Sequence, residues 1–222
     1  MAETSPAERL RQVRDSITRA AQLARRAPGE VTLIAVSKTH PPEAILPLIE
    51  AGQRHFGENR VQEAEAKWPD LRERHPEIRL HLIGRLQSNK AEAAVALFDA
   101  VHSVDRPSLV TALGKAMDKA GRRPDCFIQV NIGDEPQKGG CPVAELPALL
   151  EGARSAELPI AGLMAIPPAG VEAAAYFALL AELARRHGLA GLSMGMSADY
   201  ETAVTIGATH IRVGTALFGE RG

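Results

Sequence analysis

Eight short apolar runs, set apart by stretches with helical periodicity, limit what this chain of 222 residues can fold into. Val31 to Ser37 is β-branched and too short for a typical helix, so it reads as a strand buried on both faces. Further strands are expected at His55-Phe56, Leu80 to Ile83, Ala100 to Val104, Cys126 to Ile132, Ile160 to Ile166, Gly191 to Met194 and His210 to Val213. Between them, Pro42 to Ala51, Val61 to Arg74, Pro107 to Ala120, Val143 to Ala156 and Val171 to His187 carry helical spacing. Strands alternating with helices give an α/β fold with a parallel sheet, and eight strands close a TIM (β/α)8 barrel. An extra helix opens the chain, with Ser5 as its cap, Pro6 in its first turn, and Leu10, Val13, Ile17, Ala20 and Ala24 on one face. We expect one domain over residues 1–222, with residues 1–28 forming an N-terminal helix that caps the barrel.

The hydrophobic fraction of 45% supplies a sizeable core, and 24% charged residues suit a soluble surface. Lys and Arg total 26 against 27 Asp and Glu, so a net charge of -1 gives no global field to draw nucleic acid or anionic lipid. Neither is an expected partner, and an anionic ligand has to be caught locally. Met1 to Pro6 runs into a charged segment without the apolar core of a signal peptide or membrane span. The two cysteines, Cys126 and Cys141, form no CxxC or Cys/His cluster, which argues against a disulfide framework or zinc site and fits a reducing cytoplasm.

In a barrel of this kind ligands bind where the strands end, so the residues there carry the functional reading. Lys38 ends the first strand, where an amine among apolar walls is expected to become nucleophilic and form a Schiff base; an isolated lysine there could also simply snorkel into solvent. After strand seven, Gly195 permits close approach and Ser197 can cap the next helix; after strand eight, Gly214 and Thr215 supply a turn, a hydroxyl and free amides. Phosphate commonly binds between these two loops, although serine and glycine are also ordinary cap and turn residues. Arg212, inside the apolar run His210 to Val213, needs a partner, which a structural salt bridge, a phosphate or a pyridine nitrogen would satisfy. An aldehyde held by an amine and a phosphate held by amides point to pyridoxal 5'-phosphate (PLP).

The same residues carry a family resemblance along nearly the whole chain. Ala35-Val36-Ser37-Lys38-Thr39, Phe56-Gly57-Glu58-Asn59-Arg60-Val61-Gln62-Glu63, and the run His81 to Lys90 match in order. Gln129 to Ile132, Gly162 to Pro167, Leu192 to Ser197 and Arg212 to Gly219 follow. Together they resemble the YggS/PROSC family of PLP homeostasis proteins. The resemblance implies a barrel like the alanine racemase N-terminal domain, Lys38 as the Schiff-base lysine, Arg212 at the pyridine nitrogen, and Ser197, Gly214 and Thr215 around the phosphate. It also places Asn59 in the pocket wall, a position that could otherwise be a plain turn. The chain departs from the pattern at Leu80, where an aromatic residue often precedes the histidine, and in the short segment from Pro168 to Val171.

The family role so implied is to bind, buffer or deliver PLP in vitamin B6 homeostasis without turning over a defined substrate; we expect no catalytic residues and a monomer, with PLP-dependent apoenzymes as candidate recipients. Because the chain stops at Gly222, just past strand eight, no second domain with a tyrosine acid/base is expected. Tyr176 falls in a helical pattern and Tyr200 just after Ser197. The competing readings are a PLP-dependent amino-acid racemase with Lys38 as its base, a phosphosugar aldolase, and an interaction protein regulated by PLP.

Overall fold

The computed structural model describes residues 4–219, so Met1 to Glu3 and residues 220–222 of the expected domain lie outside the described residues. Eight strands, β1 (Thr32–Val36), β2 (His55–Glu58), β3 (Arg79–Leu82), β4 (Ala100–Val104), β5 (Asp125–Gln129), β6 (Ile160–Met164), β7 (Gly191–Met196) and β8 (His210–Val213), pair in sequence order. β1 also pairs in parallel with β8, Ile34 opposite Arg212, so the sheet closes into a barrel. Helices α2 (Pro42–Glu50), α3 (Val61–Arg74), α4 (Ala91–Leu97), α5 (Pro107–Ala120), α6 (Leu146–Ser155), α7 (Ala174–Arg186) and α8 (Tyr200–Ile206) alternate with the strands, and one turn, α9 (Thr215–Phe218), follows β8. The TIM barrel expected from the alternation is therefore present.

The first helix, α1 (Pro6–Leu23), begins as its sequence implies: Ser5 Oγ accepts from the Glu8 amide at 3.2 Å, and Leu10, Val13, Ile17 and Ala20 are buried. Its place differs from expectation. Instead of capping the barrel, α1 packs beside α2 on one flank and α8 and α9 on the other, filling the outer ring between β8 and β1. The four-residue α9 is too short to cover that groove, and a single apolar stripe such as that of α1 suits a position in the ring.

Strand ends moved more than strand centres. The fifth strand stops at Gln129 instead of running to Ile132, and the chain then forms an isolated bridge between Val130 and Cys141. β7 runs on to Met196 through Gly195, whose φ of +93° and a would-be Cβ only 2.5 Å from Ala203 Cβ leave room for glycine alone. The Ala-rich α4 is a ring helix that no sequence feature singled out. Between strands and helices lies one apolar layer, with Phe56, Trp68, Phe98 and Phe177 fully buried in it.

Candidate cofactor site

The loops that leave the C-terminal ends of the strands enclose a cavity of about 540 Å³. All six residues singled out from the sequence line it: Lys38, Asn59, Ser197, Arg212, Gly214 and Thr215. Ile83, Arg85, Gln129 and Ile166, from the loops and strand ends between, add wall that the sequence reading did not assign. A cavity of this size, mixed in polarity and sited at the barrel's functional end, suits a small cofactor.

Lys38 lies in a turn two residues beyond the end of β1, not on the strand itself, and is half-buried. The turn is closed by the His40 amide bonding to the Ser37 carbonyl at 3.1 Å, with Thr39 at a φ of 64°. Lys67 of α3 braces it: its Nζ donates to the carbonyls of Ser37 at 2.9 Å and His40 at 3.1 Å, and pairs with Glu58 Oε1 at 2.7 Å. Glu58, fully buried at the end of β2, also accepts on Oε1 from Ser37 Oγ at 2.7 Å and Trp68 Nε1 at 3.0 Å. Glu63 Oε1 receives the Thr39 amide at 2.5 Å. The His40 ring stacks on Phe218 at 4.2 Å and ties the turn to α9.

Across the cavity, Ser197 Oγ accepts from the Gly214 amide at 3.2 Å, which fastens the loop after β7 to the loop after β8. The expected capping of α8 by Ser197 does not occur. That helix starts at Tyr200, and Asp199, one residue before it, accepts from the Met196 amide at 2.6 Å and holds the loop instead. Thr215, exposed, and Ala216 open α9, where amides have no intrahelical acceptor. Gly214 packs on β1, where a Cβ would stand 3.4 Å from Val36 Cβ, and so brings the loop after β8 beside the Lys38 turn. On the other wall, Asn59 is pressed against Gly84, where any Cβ would meet the Asn59 carbonyl oxygen at 2.3 Å.

Arg212 forms the floor, 4% exposed. Its Nη1 donates to Ser193 Oγ at 2.7 Å and its Nη2 to the Ala165 carbonyl at 3.0 Å. Among the described residues it makes no ion pair within 4.0 Å, so the salt bridge weighed for it from the sequence is not what holds it. Burial pulls its guanidinium down to about 10, with Asp199 pulling the other way, so it stays charged at neutral pH. Tyr176 and Tyr200 both pack against the apolar layer and neither lines the cavity. Cys126 and Cys141 are buried free thiols, and burial pushes both up to about 12. Among the described residues no helix is long and apolar enough to cross a membrane, and no cluster of ligating side chains is arranged to hold a metal ion.

The sequence reading missed Glu58, Glu63 and Lys67. Only the Glu63/Lys67 pair had a local signal, a spacing of four on one helix face.

Known proteins share the fold and much of the sequence along nearly the whole chain. The family described as alanine racemase, N-terminal domain, matches residues 10–222. The pyridoxal phosphate homeostasis protein of Escherichia coli is 42% identical over 227 residues, spanning 97% of this chain and 96% of that protein. Its counterpart in Pseudomonas aeruginosa is 43% identical over 222 residues, spanning 97% and 95%. The structure of PipY from Synechococcus elongatus with PLP bound superposes with a TM-score of 0.86 at 43% identity, over 97% of this chain and all 100% of that one. An alanine racemase of Clostridium difficile, 12% identical with a TM-score of 0.70 over 93% of this chain and 57% of its own, shares the fold alone. The chain belongs to the alanine racemase N-terminal domain family and, within it, to the pyridoxal phosphate homeostasis proteins.

Proposed function

We propose that this protein binds PLP in the cavity above Arg212, and buffers or delivers it in vitamin B6 homeostasis with negligible turnover. The observation that carries the proposal is the donor set. A buried guanidinium, which has more N–H groups than the two engaged here, forms the floor of a cavity whose rim bears a braced lysine and the amides opening α9. These groups fit an aromatic nitrogen, an aldehyde and a phosphate in one ligand. Bound PLP supplies an aldehyde that condenses with amines and a pyridine ring that can draw electrons from what is attached to it.

The chain's own residues then divide the work. Lys38 supplies the amine, and its turn is kept in place by Lys67, Glu58 and Glu63. Ser197, Gly214 and Thr215 hold the phosphate, and Asn59 closes the side wall. Arg212 favours a carrier over a catalyst: it donates hydrogen bonds and has no lone pair to accept one, so it stabilises an unprotonated ring nitrogen and leaves the electron sink shallow. A racemase also needs a second base, and both tyrosines sit in the packing around the barrel. The proposed working form is a cytoplasmic monomer whose recipients are PLP-dependent apoenzymes.

The test pairs two assays on the PLP-loaded protein. Proton NMR of L-alanine in deuterated water is expected to keep its α signal over times in which a racemase erases it, while an apoenzyme mixed with the loaded protein regains activity. Rapid loss of the α signal with appearance of D-alanine would replace the carrier with a racemase.

A further inference from the structure

A chain of hydrogen bonds leaves Arg212 and runs through the barrel interior to its other end. Ser193 Oγ, which receives Arg212 Nη1, is 2.8 Å from His102 Nδ1. His102 Nε2 is 3.0 Å from His81 Nδ1, and His81 Nε2 is 3.0 Å from His55 Nδ1. The members come from β8, β7, β4, β3 and β2; since β4 and β7 are not neighbours, the Ser193 to His102 bond crosses the interior. Ser193 and His102 are fully buried and His81 is 5% exposed, whereas His55, opening β2, is half-buried and lines a cleft at the strands' N-terminal ends. His210 lies alongside without joining, its Nδ1 engaged by Thr209 Oγ1 at 2.9 Å.

Proton counting gives this chain a direction. Arg212 can only donate, so Ser193 Oγ accepts from it. The hydroxyl's own proton then has His102 Nδ1 as its acceptor, and a buried hydroxyl left without one costs more than a made bond returns. His102 therefore carries its hydrogen on Nε2 and donates to His81 Nδ1. His81 in turn donates from Nε2 to His55 Nδ1, leaving the Nε2 hydrogen of His55 facing away from the relay. The opposite order would aim two donors at Ser193 and strand its proton. Burial, together with the neighbouring histidines, pulls His81 and His102 well below the usual imidazole range, so each ring holds a single hydrogen, as the scheme requires.

We infer that Ser193, His102, His81 and His55 form a one-way hydrogen-bond relay that positions the Arg212 guanidinium and couples the floor of the cofactor cavity to the opposite end of the barrel. They are positioning residues, acting through Arg212. Bonds aligned in one sense polarise one another, so the relay holds Nη1 more firmly than Ser193 alone would. What Arg212 faces rests on the proposed PLP site; the order of the protons does not.

Protein carrying nitrogen-15-labelled histidine, free of PLP and near neutral pH, tests the order directly. Long-range nitrogen–proton correlations, assigned with single His→Phe variants, are expected to show the Nε2-H tautomer at His55, His81 and His102. Ser193→Ala is expected to mix the tautomers at His102 and to shift the visible absorption maximum of the PLP-loaded protein, while Ser193→Thr, which keeps the hydroxyl, restores both. An Nδ1-H tautomer at His81 or His102 in the unaltered protein would overturn the relay, as would a Ser193→Ala protein with unchanged tautomers. Correct tautomers in a protein that takes up no PLP would uphold the relay and overturn the cofactor reading instead.

Discussion

Lys38 and Arg212 each break a local rule, a cation at the end of or inside an apolar strand run, but they acquire a functional reading only together with the loops after β7 and β8. Lys38→Ala should therefore abolish any borohydride-stable adduct while leaving weaker PLP binding through the loops after β7 and β8, which equilibrium dialysis would measure. Ser197 was readable as a polar residue of the phosphate loop, but its bond to the Gly214 amide joins positions 17 apart and has no local signature. That bond ranks two substitutions. Ser197→Ala loses the clamp between loops together with the phosphate contact proposed for it, and should weaken PLP roughly tenfold, about 1.4 kcal/mol. Thr215→Val touches an exposed hydroxyl and should cost less, about 1 kcal/mol at most. Equal affinities for the two variants would remove the clamp from the explanation.

At the scale of elements, β2 and α3 do more for the site than their sequence announced. The stretch from Phe56 to Trp68 supplies the wall residue Asn59 and the whole brace beneath Lys38, namely Glu58, Glu63, Lys67 and Trp68. Alternation and helical spacing revealed the two elements, yet the brace depends on how α3 lies over the end of β1, which only the closed barrel sets. Lys67→Met would leave the buried Glu58 carboxylate without its cation, a change expected to cost about 3 kcal/mol of stability. It would also free the turn at Lys38. Urea unfolding together with PLP titration would register both effects, and an unchanged midpoint would show the pair to be dispensable. α1 teaches the same distinction: its apolar stripe was plain in the sequence, whereas its place in the outer ring follows from the shortness of α9.

For the whole molecule, eight alternating units were enough to anticipate a closed barrel, but nothing in their apolar pattern disclosed a polar interior lined by His81, His102 and His210. That interior makes stability depend on pH. His210 is held down to about 4, chiefly by burial, and His81 and His102 are also lowered, so the folded protein keeps these rings neutral where the unfolded chain would protonate them. Below about pH 6.5 the unfolded state binds more protons, and stability present above that value should fall continuously towards pH 4; His210 alone is worth roughly 3 kcal/mol over this window. Urea midpoints at about pH 7.5 and about pH 5 would check the sign, and a higher midpoint at the lower pH would contradict it. The most direct test of PLP carriage is to load the protein, reduce it with borohydride and locate the pyridoxyl group by peptide mass spectrometry. A single adduct on Lys38 is expected; a principal adduct on Lys67, Lys138 or any other lysine would contradict the assignment of this cavity as the PLP site.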